Sequence, residues 1–374
     1  MSMTEREAYI ALNMMEKIGP VSVRALVTSL GSASAIFDAS DDVLRKSVGV
    51  GPALAASIVS QRDDIQDALS AELERAEGSD THIITPLDSE YPAALQKIHD
   101  PPLALYMRGR LLPIDRHALA VVGTRRATHY GMDVTRNLSY QLAKAGVCVV
   151  SGLALGVDTA AHEAALHAGG RTIAVIGSGF DHVYPEENGE LANKIAANGA
   201  VLSEFPFARQ PDKTTFPMRN RIVSGMSAGV LVVEADFKSG AIITANQALS
   251  QGRTVFAVPG RIDSRRSAGT NALIKDGAYL VTGASDILEH FEMLLPKSFG
   301  SESQATQIRQ VALSADEQTV VLALEKGEMG IDQLIRETGI ATASVSSLLI
   351  ALELKRVVRV LPGRKVELIE TQQN

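Results

Sequence analysis

The chain has a single cysteine, Cys148, and it lies within an apolar run. An intrachain disulfide is thereby excluded, and no cysteine cluster exists to hold zinc. A reducing cytoplasm is the simplest setting for such a chain. No apolar stretch approaches the roughly 18 residues of a membrane span. The N-terminus, Met1 to Glu7, lacks a basic head followed by an apolar stretch, so no signal peptide is read. No Gly-x-x-x-x-Gly-Lys-Ser/Thr occurs, which argues against a P-loop ATPase. No Ser–His–Asp spacing and no metal-ligand grouping of His, Asp and Glu is visible, so neither a cofactor nor a metal is expected.

What is present fits a soluble globular protein. Of 374 residues, 45% are hydrophobic and 21% charged, enough for a sizeable core and two or three domains. The net charge of −7 alone argues weakly against a nucleic-acid binder, but local balance matters more. From Glu204 to Arg266 nine Lys/Arg stand against five Asp/Glu, a +4 stretch in an acidic chain.

Residues 1–75 read as all-helical, with helices over Ala8–Lys17, Val21–Leu30, Leu44–Val48 and Ala53–Ser60. The turns Ile18-Gly-Pro20 and Gly49-Val-Gly-Pro52 give a SAM or helix-hairpin-helix character. Such turns can offer backbone N–H groups to a DNA phosphate. Seven Lys/Arg against eleven Asp/Glu in this segment repel one, which favours a folded cap or a protein-contact module. An extended Rossmann-like domain covers 76–295. Its Thr81–Arg110 stretch is a proline-punctuated connector, with a strand at Leu103–Met107. From His117 onward short Val-, Ile- and Ala-rich strands alternate with amphipathic helices. That pattern predicts a doubly wound, mostly parallel α/β sheet buried on both faces. Residues 296–310 are a polar linker. Residues 311–374 give three helices and a hairpin, the winged-helix order. The third helix, Ala341–Leu354, has no Lys or Arg, unlike a major-groove reader. The wing carries Lys355, Arg356, Arg359, Arg364 and Lys365, so sequence-blind DNA contact and protein contact both stay open.

In a βαβ chain the turns after the strands line one edge of the sheet, where ligands bind. Gly123-Thr124-Arg125-Arg126 precedes a helix starting near Met132, whose N-terminus favours an anion. Gly152 opens a second glycine turn, in which Asp158-Thr159 reads as a helix N-cap and His162 as a structural residue. Gly177-Ser178-Gly179 lacks the third glycine of the dinucleotide fingerprint, and Ser151 stands where a ribose-binding carboxylate is usual, which argues against NAD. Arg219, Asn220 and Arg221 are read as opening a helix, where cations oppose the helix dipole and so serve something anionic. Lys213 and Phe216 just upstream suit one nucleotide of a single strand, charge on phosphate and ring on base. Tyr130, Phe180 and Phe207 are further stacking candidates. Lys238-Ser239-Gly240 adds another small-residue turn.

Taken together these motifs resemble the DprA/Smf family, DNA-processing protein A. The resemblance rests on Gly123-Thr-Arg125, Ser151-Gly-Leu-Ala-Leu-Gly-Val-Asp-Thr-Ala-Ala-His162, Ala174-Val-Ile-Gly-Ser-Gly179, Phe216-Pro-Met-Arg-Asn-Arg-Ile222, Lys238-Ser-Gly240 and Val255-Phe-Ala-Val-Pro-Gly260. It implies a cytoplasmic, non-catalytic protein that binds single-stranded DNA, loads the RecA recombinase during transformation, and forms a homodimer through the Rossmann-like domain. It carries a DNA pocket onto Arg125, Lys213, Phe216, Arg219, Asn220 and Arg221. The competing enzyme reading is a nucleoside-monophosphate phosphoribohydrolase of the lysine-decarboxylase-like type. Such enzymes use a catalytic Glu after a Gly-Thr turn, whereas Thr244-Ala-Asn-Gln247 places Gln there.

Overall fold

A computed structural model describes residues 3–47 and 49–294, and beyond them 315–324, 329–340, 345, 348–349, 352, 358–361 and 365–368. The chain divides into two compact units, Met1–Phe291 and Glu292–Asn374. Among the described residues no helix is long and apolar enough to cross a membrane.

The first unit opens with helices α1 (Glu5–Met14), α2 (Pro20–Leu30), α3 (Ser34–Asp38), α4 (Asp41–Lys46), α5 (Pro52–Gln61) and α6 (Ile65–Gly78). α1 starts three residues before the expected Ala8 because Thr4 and Glu7 close a reciprocal capping box. The two Gly-Pro turns are helix starts, with Gly19 and Gly51 at the N-cap and Pro20 and Pro52 at the first helical position.

The expected connector is structural. Its residues supply β1 (His82–Ile84) and β2 (Leu105–Gly109), which extend the sheet antiparallel at the β6 edge. The alternation that follows is β3 (Ala118–Val122), α7 (His129–Lys144), β4 (Cys148–Ser151), α8 (Val157–His167), β5 (Thr172–Val175), α9 (Gly189–Asn198) and β6 (Ala200–Ser203). It continues as α10 (Thr215–Gly225), β7 (Gly229–Val232), α11 (Gly240–Ser250), β8 (Thr254–Ala257), α12 (Ala268–Lys275), β9 (Tyr279–Leu280) and α13 (Ala284–Leu294). The sheet order is β1-β2-β6-β5-β4-β3-β7-β8-β9, and all pairs from β6 to β9 are parallel. This is the doubly wound sheet that the strand–helix alternation predicts.

Period-two alternation divides the strand residues between two cores. Ala174, Ile176, Val201 and Tyr106 pack with Leu12, Leu26 and Ile36 of the N-terminal helices. Ile173, Val175, Leu202 and Leu105 face Ile222, Val223 and Ala245 of α10 and α11. From β3 the chain winds one way through β4, β5 and β6. It then crosses back to β7 on the other side of β3. The order therefore reverses at β3/β7, the switch point where open α/β sheets leave a crevice at the strands' carboxyl ends.

The second unit contains α14 (Ala315–Leu324), β10 (Met329–Gly330), α15 (Ile331–Thr338), β11 (Val358–Leu361) and β12 (Lys365–Leu368). The antiparallel sheet has the order β10-β12-β11 around Val320, Leu334, Leu349, Val358 and Val366. β10 is a strand the sequence pattern did not reveal. Residues 296–310, most of 341–354, and Lys355, Arg356 and Arg364 lie outside the described residues. Arg359 sits on β11 and Lys365 on β12.

Candidate functional site

A cavity of about 450 Å³ opens at the switch point, lined by residues 123–126, Gly152, Phe216, Arg219, Asn220, Lys238–Gly240 and Arg266 among others. One wall is the turn from β3 into α7. The Thr124 N–H donates to the Glu234 carbonyl over 2.8 Å. The buried Glu234 carboxylate accepts from the Thr128 N–H (2.9 Å) and hydroxyl (2.6 Å). Thr128 caps α7 through the Gly131 N–H, so the helix starts at His129 rather than near Met132. The braced turn leaves Arg125 and Arg126 exposed. The Arg125 guanidinium lies 4.9 Å from the Phe216 ring centroid, a cation–π contact.

The floor is a buried pair. Arg219 donates from Nη1 to the Gly152 carbonyl (2.5 Å) and to that of Val175, tying together the ends of β4 and β5. The Asp158 carboxylate accepts from the N–H groups of Gly152 (3.0 Å) and Ala154 (3.3 Å). Burial pushes the Arg219 guanidinium down to about 10, against the pull of Asp158. Burial likewise raises Asp158, with Arg219 and the two N–H groups working the other way. A Cβ at residue 152 would sit 2.5 Å from Arg219 Nη2, so any larger residue there has to displace the guanidinium from its carbonyls. Asp158 is not the N-cap expected from the sequence. Gly156 is, with a left-handed φ of 80°, and Asp158 reaches back into the loop instead.

His162 is buried one turn further on, with Nδ1 2.7 Å from the Thr172 hydroxyl. That hydroxyl donates to the Val149 carbonyl (2.7 Å), so Nδ1 carries the proton and donates. Burial lowers the imidazole to about 3, and the positive charge of Arg219 adds to the effect. The residue is structural, as its lone position implied.

α10 begins at Thr215, four residues earlier than Arg219, because the Asp212 carboxylate accepts from the N–H groups of Thr214 (2.6 Å) and Thr215 (3.0 Å). Pro217 falls in the first turn, where no N–H partner is needed. Arg219 and Arg221 therefore lie in the body of the helix and not in its first turn. Arg221 points away from the cavity. Glu204 holds it at both ends of its fork (2.9 and 2.5 Å), and Asp100 accepts from Nε (2.9 Å). Burial opposes its charge, but Glu204 and Asp100 outweigh that and hold Arg221 above the usual range.

The remaining positions divide. Asn220 accepts from Arg219 Nε (3.1 Å) and lines the cavity. Ser239 caps α11 through the Ala241 N–H, and Lys238 is exposed beside it. Gly177 lies under Phe216, where a Cβ would come within 2.8 Å of the ring. Ser178 and Gly179 are buried behind it, and Lys213 is exposed ahead of α10. None of Gly177, Ser178, Gly179 and Lys213 lines the cavity. Of the stacking candidates, Phe180 and Phe207 are core residues packed with each other and with Tyr106. Tyr130 is exposed and donates its hydroxyl to the Pro259 carbonyl. Arg126 and Arg266 also line the cavity. In the sequence Arg266 was visible only as one cation of the +4 stretch. Arg265 takes Asp236 (2.6 Å), leaving Arg266 at the cavity.

Comparison with known proteins follows this architecture. The DNA recombination-mediator protein A family model matches residues 82–292, and a DprA winged helix domain model matches 304–364. The chain is 40% identical over 293 residues to Protein Smf of Escherichia coli strain K12, covering 77% of this chain and 78% of that one. It is 31% identical over 398 residues to Protein Smf of Synechocystis, covering 98% and 100%. The X-ray structure of DNA processing protein A from Streptococcus pneumoniae superposes with a TM-score of 0.67 at 37% identity, covering 78% of this chain and 99% of that one. DNA processing protein A from Helicobacter pylori, a structure described for its single-stranded DNA binding mode, gives 0.52 at 33% identity, covering 58% and 97%. A family model spanning more than half the chain and a relative matched along its whole length agree: the chain belongs to the DprA/Smf family of DNA-processing proteins.

Proposed function

We propose that the switch-point cavity grips the phosphates of unpaired DNA without cutting them. One observation carries this reading. Arg125, Arg126, Lys238 and Arg266 all line one cavity, and none of them takes part in an ion pair among the described residues. Cations left without carboxylate partners around a concave site suit a polyanion. The two carboxylates of the cavity are already engaged, Asp158 by backbone N–H groups and Asp236 by Arg265. Both thus serve to hold the turns around the cavity. Arg221, held by Glu204 and Asp100, serves as scaffold in this reading, and Arg219 shapes the floor. Lys213 and the Gly177–Gly179 turn take supporting places around Phe216.

The single-stranded DNA binding mode described for the Helicobacter pylori relative supports an unpaired strand as ligand. Membership of the family supports the wider proposal: a cytoplasmic homodimer, joined through the Rossmann-like domain, that protects incoming DNA and loads the RecA recombinase. Fluorescence anisotropy with single- and double-stranded oligonucleotides across a salt series tests the core of it. Arg125→Ala should weaken oligo-dT binding and flatten the slope of log K against log salt by about 0.7. Wild-type affinity and slope in that variant would remove the cavity from the DNA path. Incubation with AMP should release no free base, and turnover would restore the phosphoribohydrolase reading.

A further inference from the structure

Resting on that reading, we infer that Tyr184 and Phe237 are nucleobase-stacking platforms on either side of the cationic cavity. Phe216, the aromatic that the sequence pointed to, is sandwiched between Arg125 and Gly177. Arg125 covers its ring at 4.9 Å, and Gly177 packs so close that a Cβ would come within 2.8 Å of it. Tyr184 is its outward neighbour, with ring centroids 5.8 Å apart and planes inclined at 46°. Tyr184 as a residue is 45% exposed. Arg125, Phe216 and Tyr184 thus form a chain of ring contacts leading from the cavity into solvent.

Phe237 is 64% exposed and makes no ring contact among the described residues. Its sequence neighbours, Asp236 and Lys238, both line the cavity. The turn that presents it is braced. Asp236 accepts from Arg265 Nε (2.6 Å), from the Phe237 N–H (2.7 Å) and, through its carbonyl, from the Ser239 N–H (2.9 Å). A large apolar ring held out in water on a fixed turn contributes nothing to the core, but it suits a flat ligand.

Tyr184 lies in the loop that follows β5 and Phe237 in the loop that follows β7, and those two strands stand three places apart in the sheet. Two rings carried on separate loops suit successive nucleotides of one strand rather than a single base. The phosphates between them would then lie over Arg125, Arg126, Lys238 and Arg266. Stacking tolerates any base, so the ligand is unpaired polynucleotide without sequence preference.

The test compares oligo-dT with an abasic oligonucleotide of the same length, using the full chain. Tyr184→Ala and Phe237→Ala should each weaken oligo-dT binding by about five- to a hundredfold and leave abasic binding unchanged. Tyr184→Phe should bind as wild type, and 2-aminopurine placed in the strand should be quenched less by the alanine variants. If wild type binds oligo-dT but both alanine variants bind it equally well, the platforms are misassigned and the phosphate cavity stands. Equal weakening toward both ligands would also overturn the inference, because the rings would then act through the backbone path. Wild type that ignores oligo-dT would sink the cavity reading and this inference with it.

Discussion

Two clusters of arginine looked alike in the sequence and differ in the folded chain. Arg125 and Arg126 follow β3 on a turn braced from behind by Glu234, and both reach solvent. Arg219 and Arg221 belong to α10, and both are buried. Their partners are distant in sequence: Gly152 and Val175 for Arg219, Glu204 and Asp100 for Arg221. The same side chain thus serves as a ligand-facing cation in one place and as internal cross-bracing in the other. Whether a partner waits inside decides between the two. A buried guanidinium without carbonyls or carboxylates around it is too costly to keep.

That contrast breaks most sharply at Arg221. Its replacement by alanine strands the buried Glu204 carboxylate, at an expected cost of about 3–5 kcal/mol. Urea unfolding measures it, and a loss below about 1 kcal/mol would mean Arg221 is no brace. Gly152→Ala comes next. The new methyl meets Arg219 and should cost about 1–3 kcal/mol through overpacking, with a fall in oligo-dT affinity as the floor shifts. A thermal melt unchanged from wild type would show that the floor yields freely.

His162 gives a pH-dependent version of the same contrast. Its folded pKa, about 3, lies below the ordinary 6.5. Between those values the unfolded chain binds a proton and the folded chain does not. Stability should therefore fall as pH drops from about 6.5 toward 3, by about 1.4 kcal/mol per unit from this group. His162→Gln should remove that share of the slope, and an identical slope in the variant would place the titration elsewhere. The smallest effect belongs to the exposed cluster. Arg125→Ala should change folding stability by no more than about 0.5 kcal/mol while weakening the grip on DNA. A large stability loss there would erase the distinction between the two clusters.

Much of this was legible beforehand. The strand–helix alternation from His117 to Leu295 matches the sheet because parallel strands buried on both faces have to be continuously apolar. The glycine-rich turns stood where ligands bind because that edge follows from βαβ winding. Boundaries moved where a side chain reached across a gap in sequence. Thr4 with Glu7 advanced α1, Thr128 advanced α7, and Asp212 advanced α10 past the point where Arg219 could occupy a first turn. The edge strands β1 and β2 were hidden in a proline-rich stretch, since short antiparallel strands carry little periodic signal. Phe180 and Phe207 passed for stacking groups because composition does not reveal which ring meets another.

The sequence by itself determined the layered α/β plan, the winged-helix order at the far end and the row of small-residue turns. Those depend on local periodicity and on residues adjacent in the chain. Only the tertiary structure decided which cations face the cavity, which brace the core, and that Arg266 joins Arg125 across the switch point. A charge's role is set by what surrounds it in space, and here those surroundings come from segments tens of residues away.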